Sequence, residues 1–247
     1  MFPIISIAIL LFSLAVMSFV PVFRSAVPAA LESGSAPDAE AMRVLGCCRA
    51  YCAANDFDTK LAGTVRARVF GIPYVQNVSG VRSVRADGYV ETLESASALV
   101  KAAVKKQVSD GKYLVSTGEY KNKKFVFGKP KELTRADFTS AYGLPATGLV
   151  KFVLDGAVVS AEQTDKNEYR YVLDVARATE YSRNEYKTLL GGKSYPQYDS
   201  VEFTIVTDGE RAAKITVREK FRINKCGGTS CTAVYSEVFD YGTQNAV

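Results

Sequence analysis

Residues 201–223 read VEFTIVTDGERAAKITVREKFRI. Val201, Phe203 and Ile205 alternate with Glu202 and Thr204, Asp208-Gly209 interrupts, and Ile215, Val217, Phe221 and Ile223 resume the period of two. That pattern on both sides of an Asp-Gly pair describes an antiparallel hairpin with one buried face. Ala233, Tyr235, Phe239 and Tyr241 add a third strand at the same period.

Upstream of this meander the β signal continues. Thr64, Arg66 and Arg68 alternate with Val65, Ala67 and Val69, and Gly71-Ile72-Pro73 ends the run. Residues 75–84 and 87–93 predict further strands, with turns at Ser79-Gly80 and Asp87-Gly88. Residues 98–108 place Leu99, Val100, Ala103 and Val104 at helical spacing. The adjoining hairpin-like run Gly111-Lys112-Tyr113-Leu114-Val115 favours a strand there. Residues 150–154 and 157–160 flank the turn signal Asp155-Gly156, and 169–175 predicts another strand.

Helices are fewer. Residues 38–54 have an acidic first turn and carry Ala39, Met42, Val44, Leu45, Ala50, Tyr51 and Ala53. Thr134 caps a short helix with Ala136, Phe138 and Tyr142 on its apolar side, ended by Gly143-Leu144-Pro145. Thr179 caps a third, in which Tyr186 meets Leu189 and Leu190 before Gly191-Gly192. The fold class is therefore α+β: a large antiparallel β-sheet with two or three helices packed on one side.

The head of the chain sets its location. Residues 2–23 contain no charged side chain, and Arg24 is the first. A helix of that length spans about 33 Å, enough for the roughly 30 Å hydrocarbon layer of a bilayer. Residues 1–24 read as an N-terminal transmembrane anchor. The small residues Val27-Pro28-Ala29 leave a signal peptide, cleaved near Ala29, as the alternative. Residues 25–37, rich in Ala, Ser, Pro and Gly, form a flexible tether to a single extracytoplasmic domain over 38–247. Arg24 alone favours a cytoplasmic C-terminus, whereas the cysteine usage points outward, and the outward orientation is adopted. Val44-Leu45-Gly46-Cys47 lies too far beyond the apolar run to be a lipoprotein cleavage box.

Composition excludes several chemistries. The 247 residues are 47% hydrophobic and 23% charged, enough for a core without metals or dense disulfides. Lys+Arg 31 against Asp+Glu 26 gives +5, too mild a charge to imply nucleic acid. There is no histidine and no tryptophan. That rules out Ser-His-Asp and Cys-His hydrolases, His-rich zinc sites and HExxH peptidases. Gly191-Gly192-Lys193-Ser194 lacks the strand and glycine spacing of a phosphate loop. No catalytic residue, metal or cofactor is assigned, and an enzyme would need a carboxylate pair, a lysine or a thiolate.

Cys226 and Cys231 bracket Gly-Gly-Thr-Ser, a loop short enough for its ends to reach disulfide distance; the alternative is two free thiols. Cys47, Cys48 and Cys52 make the total odd. Cys48 and Cys52 share a helix face at i, i+4, and no CxxC spacing supports zinc, so they read as small buried helix residues, with acylation near an anchor as another option. Basic side chains crowd residues 101–135: Lys101, Lys105, Lys106, Lys112, Lys121, Lys123, Lys124, Lys129, Lys131 and Arg135, against Asp110, Glu119 and Glu132. Of these, Lys101, Lys105, Lys106, Lys121, Lys123, Lys124, Lys129 and Lys131 form a candidate patch for anionic head groups. The competing reading is a solvated strand face whose lysines keep sheet edges apart. Phe125 and Phe127, alternating with Val126, belong to the sheet rather than to a base-stacking platform.

The order of these elements — apolar head, early helix, antiparallel sheet, late helix, last strands — resembles the LolA-like lipoprotein-carrier superfamily, above all over residues 64–90 and 169–241. The resemblance implies a curved, half-barrel sheet around helices, with a concave apolar face that holds acyl chains or partner segments. It carries no diagnostic motif and assigns no functional residue. A retained anchor would set this chain apart from freely diffusing carriers. The expected function is a membrane-tethered, non-catalytic binding domain for lipid or lipoprotein in a bacterial envelope; the alternative is a structural or adaptor protein docking another protein through its sheet face.

Overall fold

The computed structural model describes residues 37–69, 71–98, 101–142, 158–176, 196–223 and 229–242. The head and tether, the Asp155-Gly156 turn and the helix expected from Thr179 lie outside the described residues. Among those described, no helix is long and apolar enough to cross a membrane.

Twelve strands form one open, curved antiparallel sheet: β1 (Phe57–Val69), β2 (Ile72–Arg85), β3 (Gly88–Ala96), β4 (Lys101–Ser109), β5 (Lys112–Lys121), β6 (Lys124–Phe127), β7 (Lys131–Leu133), β8 (Val158–Asp165), β9 (Glu168–Leu173), β10 (Pro196–Asp208), β11 (Arg211–Ile223) and β12 (Thr229–Asp240). Their spatial order is β6-β5-β4-β3-β2-β1-β12-β11-β10-β9-β8, with β7 also paired to β5. Two meanders are thus joined where β1 meets β12, in a register that sets Asp58 opposite Asp240 and Ala67 opposite Cys231. The β10–β11–β12 meander and the strand at 101–109 agree with the sequence reading. The strand beginning near residue 64 starts earlier, at Phe57.

Ser79-Gly80 is not a turn. It lies inside β2, where Gly80 stands opposite Leu61 on one side and Leu93 on the other. A Cβ at Gly80 would come within 2.6 Å of Leu93 Cδ2 and 2.7 Å of Thr92 O. Gly63, opposite Tyr235 on β12, is similar, with its missing Cβ 2.7 Å from the Tyr235 ring. Both glycines sit where neighbouring strands close together, so the residue that reads as punctuation in sequence instead permits tight curvature. Asp87-Gly88 does lie at the turn between β2 and β3, and left-handed residues make two others: Asp110-Gly111 between β4 and β5, and Asn122-Lys123 between β5 and β6.

Two helices are described, α1 (Ala39–Ala54) and α2 (Arg135–Tyr142). Asp38 Oδ1 accepts from Ala41 N at 2.8 Å and caps α1. Thr134 caps α2: its Oγ1 accepts from Asp137 N at 3.1 Å and donates to Asp137 Oδ2 at 2.8 Å. The buried face of α1 is Ala41, Val44, Leu45, Cys48 and Cys52, while Met42 is exposed. Two tyrosines pin this helix to the sheet. Tyr171 donates to Ala41 O at 2.7 Å, and the Tyr241 hydroxyl meets Cys52 Sγ at 3.2 Å. The Tyr171 ring also stacks on Phe203, centroids 4.6 Å apart. α2 lies at the other end, with Phe138 fully buried against Tyr113 on β5.

Candidate functional site: the inner face of the sheet

Alternation decides which side chains share the face toward the helices. On β9 to β12 they are Tyr171, Leu173, Val201, Phe203, Ile205, Val217, Phe221, Ala233, Tyr235 and Phe239, all buried. The face continues through Leu61 and Val65 on β1, Val78 on β2, Leu93 on β3, Val104 on β4 and Val115 on β5. It is a broad surface of aromatic and branched chains. Cys48 and Cys52 on α1 and Cys231 on β12 belong to the same core, and all three thiols are free. Burial pushes the thiols of Cys48 and Cys231 up to about 12 and that of Cys52 up to about 11. Buried neutral thiols are poor nucleophiles; Cys48 and Cys52 are the small buried helix residues that the sequence predicts, whereas Cys47, read in the same way, is only half-buried.

Through this apolar surface runs a row of charge. Glu91 on β3 stands between Arg82 on β2 and Lys106 on β4, in register with both. Arg82 Nε donates to Glu91 Oε2 at 3.0 Å, and Lys106 Nζ contacts Glu91 Oε1 directly. Arg82 Nη2 reaches Glu237 Oε1 on β12 at 3.4 Å, and Thr59 Oγ1 on β1 donates to the same oxygen at 2.7 Å. Burial works against charge on Arg82, but Glu237 and Glu91 outweigh it and raise its pKa. The row therefore spans five neighbouring strands, with two cations balancing two anions. Arg82 Nη1 has no hydrogen-bond partner among the described residues. Glu219 on β11 is buried as well, and accepts from Tyr235 OH at 3.0 Å.

The structure corrects the candidate lysine patch. Lys106 is 1% exposed and paired with Glu91, so it cannot meet a membrane surface. Its neighbour Lys105 points to the opposite face and is half-buried. Lys101 lies over the Tyr120 ring, 3.8 Å from its centroid. Lys121 contacts Glu119 and stands opposite Lys124, on the face away from Lys101 and Tyr120. Lys123 occupies the β5–β6 turn, and Lys129 and Lys131 are exposed beyond it. The set therefore divides between two faces and one edge. Phe125 and Phe127 do sit in the sheet, with Phe127 packed beside Gly118.

Cys231 lies buried on β12, its thiol 3.7 Å from Thr229 O, while Cys226 lies outside the described residues. The loop disulfide between them stays a proposal, and here Cys231 is free. No cluster of three or more Cys, Asp or Glu side chains among the described residues is placed to hold a metal.

The described residues form an open sheet whose apolar face is turned to helices near either end. No protein-family model matches the chain, and no curated protein matches it significantly. Among solved structures it shows a low-scoring likeness to LolA-like proteins. A domain described as an outer membrane lipoprotein-sorting protein, from Vibrio parahaemolyticus, is 8% identical over 83% of this chain and 95% of that one, with a TM-score of 0.35. A DUF1329 family protein from Desulfovibrio piger is 9% identical over 86% and 96%, TM-score 0.31. A LolA superfamily protein from Nitrosomonas europaea is 11% identical over 82% and 94%, TM-score 0.26. Identities and scores of this size transfer neither a ligand nor a residue role from the LolA-like structures.

Sequence reasoning missed the ion row, although it leaves a trace. Glu91 sits between Tyr89 and Leu93, and Lys106 between Val104 and Val108, each in an alternating apolar set. A charge at an inward position of a strand, matched by the opposite charge on the next strand, is that trace.

Proposed function

We propose that this chain is a non-catalytic, extracytoplasmic binding domain, held at a membrane by residues 1–24, that receives an acyl chain of a lipid or lipoprotein against the inner face of its sheet. One observation carries the reading: an open antiparallel sheet turns a continuous inner face of aromatic and branched side chains, from Leu173 on β9 to Val115 on β5, toward its helices. Apolar surface of that extent suits long hydrocarbon ligands, whose binding gains by removing methylenes from water at about 0.8 kcal/mol each.

The acids of this face support a binding role over a catalytic one. Glu91 and Glu237 converge, but on the Arg82 guanidinium between them rather than on an open pocket. A general acid and base need access to substrate and differing proton affinities.

Native mass spectrometry of the full chain, gently extracted from membranes, tests the proposal. Co-purifying phospholipid or acylated peptide is the expected result, with displacement by a fluorescent fatty acid as confirmation. A protein that emerges free of lipid and takes up no fatty-acid probe overturns it. A stoichiometric protein partner in place of lipid would favour the adaptor reading.

A further inference from the structure

The face opposite the ion row has a chemistry of its own. On β11, Lys214, Arg218 and Lys220 point outward; on β1, Lys60 and Arg66 do the same, and all five are exposed. Register places them in rows with the outward valines of β12 and β2. Lys214, Val238, Lys60 and Val81 lie side by side across four strands, and further along the same strands Lys220, Thr232, Arg66 and Val75 form a second row. Val81, Val238 and Val75 are 54%, 49% and 47% exposed, a high figure for large apolar chains. Between the rows lies a shallow depression of about 650 Å³, floored by Ala62, Gly63, Thr64 and Ser236.

Acids are scarce on this face. Along the outward positions of β11, β12, β1 and β2 the only ones are Asp58 and Asp240, side by side at one end, with Asp58 paired to Arg85 at 2.8 Å. None of the five cations pairs with an acid among the described residues. On β8 to β10 the same face neutralises itself through Arg170, which bridges Glu162 and Glu202. Positive charge is thus concentrated on β11 to β2, interleaved with exposed valines.

We propose that this outer face of β11–β12–β1–β2 docks on the anionic surface of a lipid bilayer, with Lys60, Arg66, Lys214, Arg218 and Lys220 against the head groups and Val75, Val81 and Val238 at the acyl boundary. Charge complementarity selects the occupant. Five unpaired cations repel a second copy of the same face, and the valines between them favour an interface with an apolar layer beneath the charge. The proposal is independent of any ligand on the inner face.

Lysine acetylation footprinting of the full chain on vesicles provides the test. Vesicles of phosphatidylcholine alone are compared with vesicles carrying about one-third phosphatidylglycerol. The apolar head would partition into both, so the difference between the two compositions isolates the charged face. Lys60, Lys214 and Lys220 should be protected several-fold on the anionic vesicles, while Lys123, Lys129 and Lys131 stay reactive. The double variant Lys60→Glu, Lys214→Glu should lose about tenfold in binding to anionic vesicles and nothing on neutral ones. Equal reactivity of the three lysines on both compositions overturns the proposal, as does protection that falls on residues 121–131 instead. Because these side chains are exposed, unchanged circular dichroism identifies a variant that still folds.

Discussion

Glu91 shows how much one side chain can hold. Removing a partner from a buried ion pair strands the remaining charge, at a cost of about 3–5 kcal/mol. Glu91→Ala strands Lys106 and leaves Arg82 with Glu237 alone, and should lose stability of that order, read by urea unfolding with tyrosine fluorescence, since tryptophan is absent. Lys106→Met should cost less, because Glu91 keeps Arg82; equal losses would argue against the row as described. The thiols give a pH dependence. Cys48, Cys52 and Cys231 hold their protons in the folded state at pH values where the unfolded chain has released them. The unfolded state then binds fewer protons, so stability falls as pH rises from about 9. Thermal melts between pH 8 and 10.5 should show that decline, shallower in a Cys231→Ala variant measured against its own pH 8 value. Helical spacing made the burial of Cys48 and Cys52 legible, but not the half-burial of Cys47 or the buried thiol of Cys231 on β12. The sequence did not separate Lys105 from Lys106: adjacent lysines look alike until the strand's orientation assigns one to water and the other to Glu91.

At the scale of elements, two glycines of opposite consequence make a matched test. Gly46 lies within α1 with no atom in the way of a Cβ, and Gly80 lies where a Cβ would strike the backbone and side chain of β3. Gly46→Ala should stabilise by about 0.5–1 kcal/mol through helix propensity alone. Gly80→Ala should destabilise by about 1–3 kcal/mol, since Thr92 O cannot step aside as a side-chain tip can. Differential scanning calorimetry of both variants would check the pair, and a neutral Gly80→Ala would show that the curvature does not depend on it. The β10–β11–β12 meander was readable because propensity, alternation and an Asp-Gly turn agree there. Gly80 was misread because sequence alone does not distinguish a glycine that ends a strand from one that lets two strands approach. Asp38 and Thr134 were legible as helix starts, since caps act within one turn of chain.

For the whole molecule, the strand order separates what local pattern can and cannot reveal. Each meander follows from neighbours in sequence, but the pairing of β1 with β12 joins residues such as Thr59 and Glu237 that stand 178 positions apart. No periodicity announces such a partnership. The outer edges are handled differently. β6 is four residues long and begins with Lys124, and Asp38 N donates to Ala161 O at 3.1 Å where the chain enters α1 beside β8. A variant lacking β12 should therefore retain two separate meanders with new, unprotected edges, and light scattering should report its association. The central seam also has a consequence for biosynthesis. A ribosome delivers β1 first and β12 last among these strands, so the earliest edge must wait, unzipped and adhesive, through the making of nearly everything else. Whatever shields β1 during that interval, a chaperone or an export channel that keeps the chain unfolded, is as much a requirement of this architecture as any residue within it.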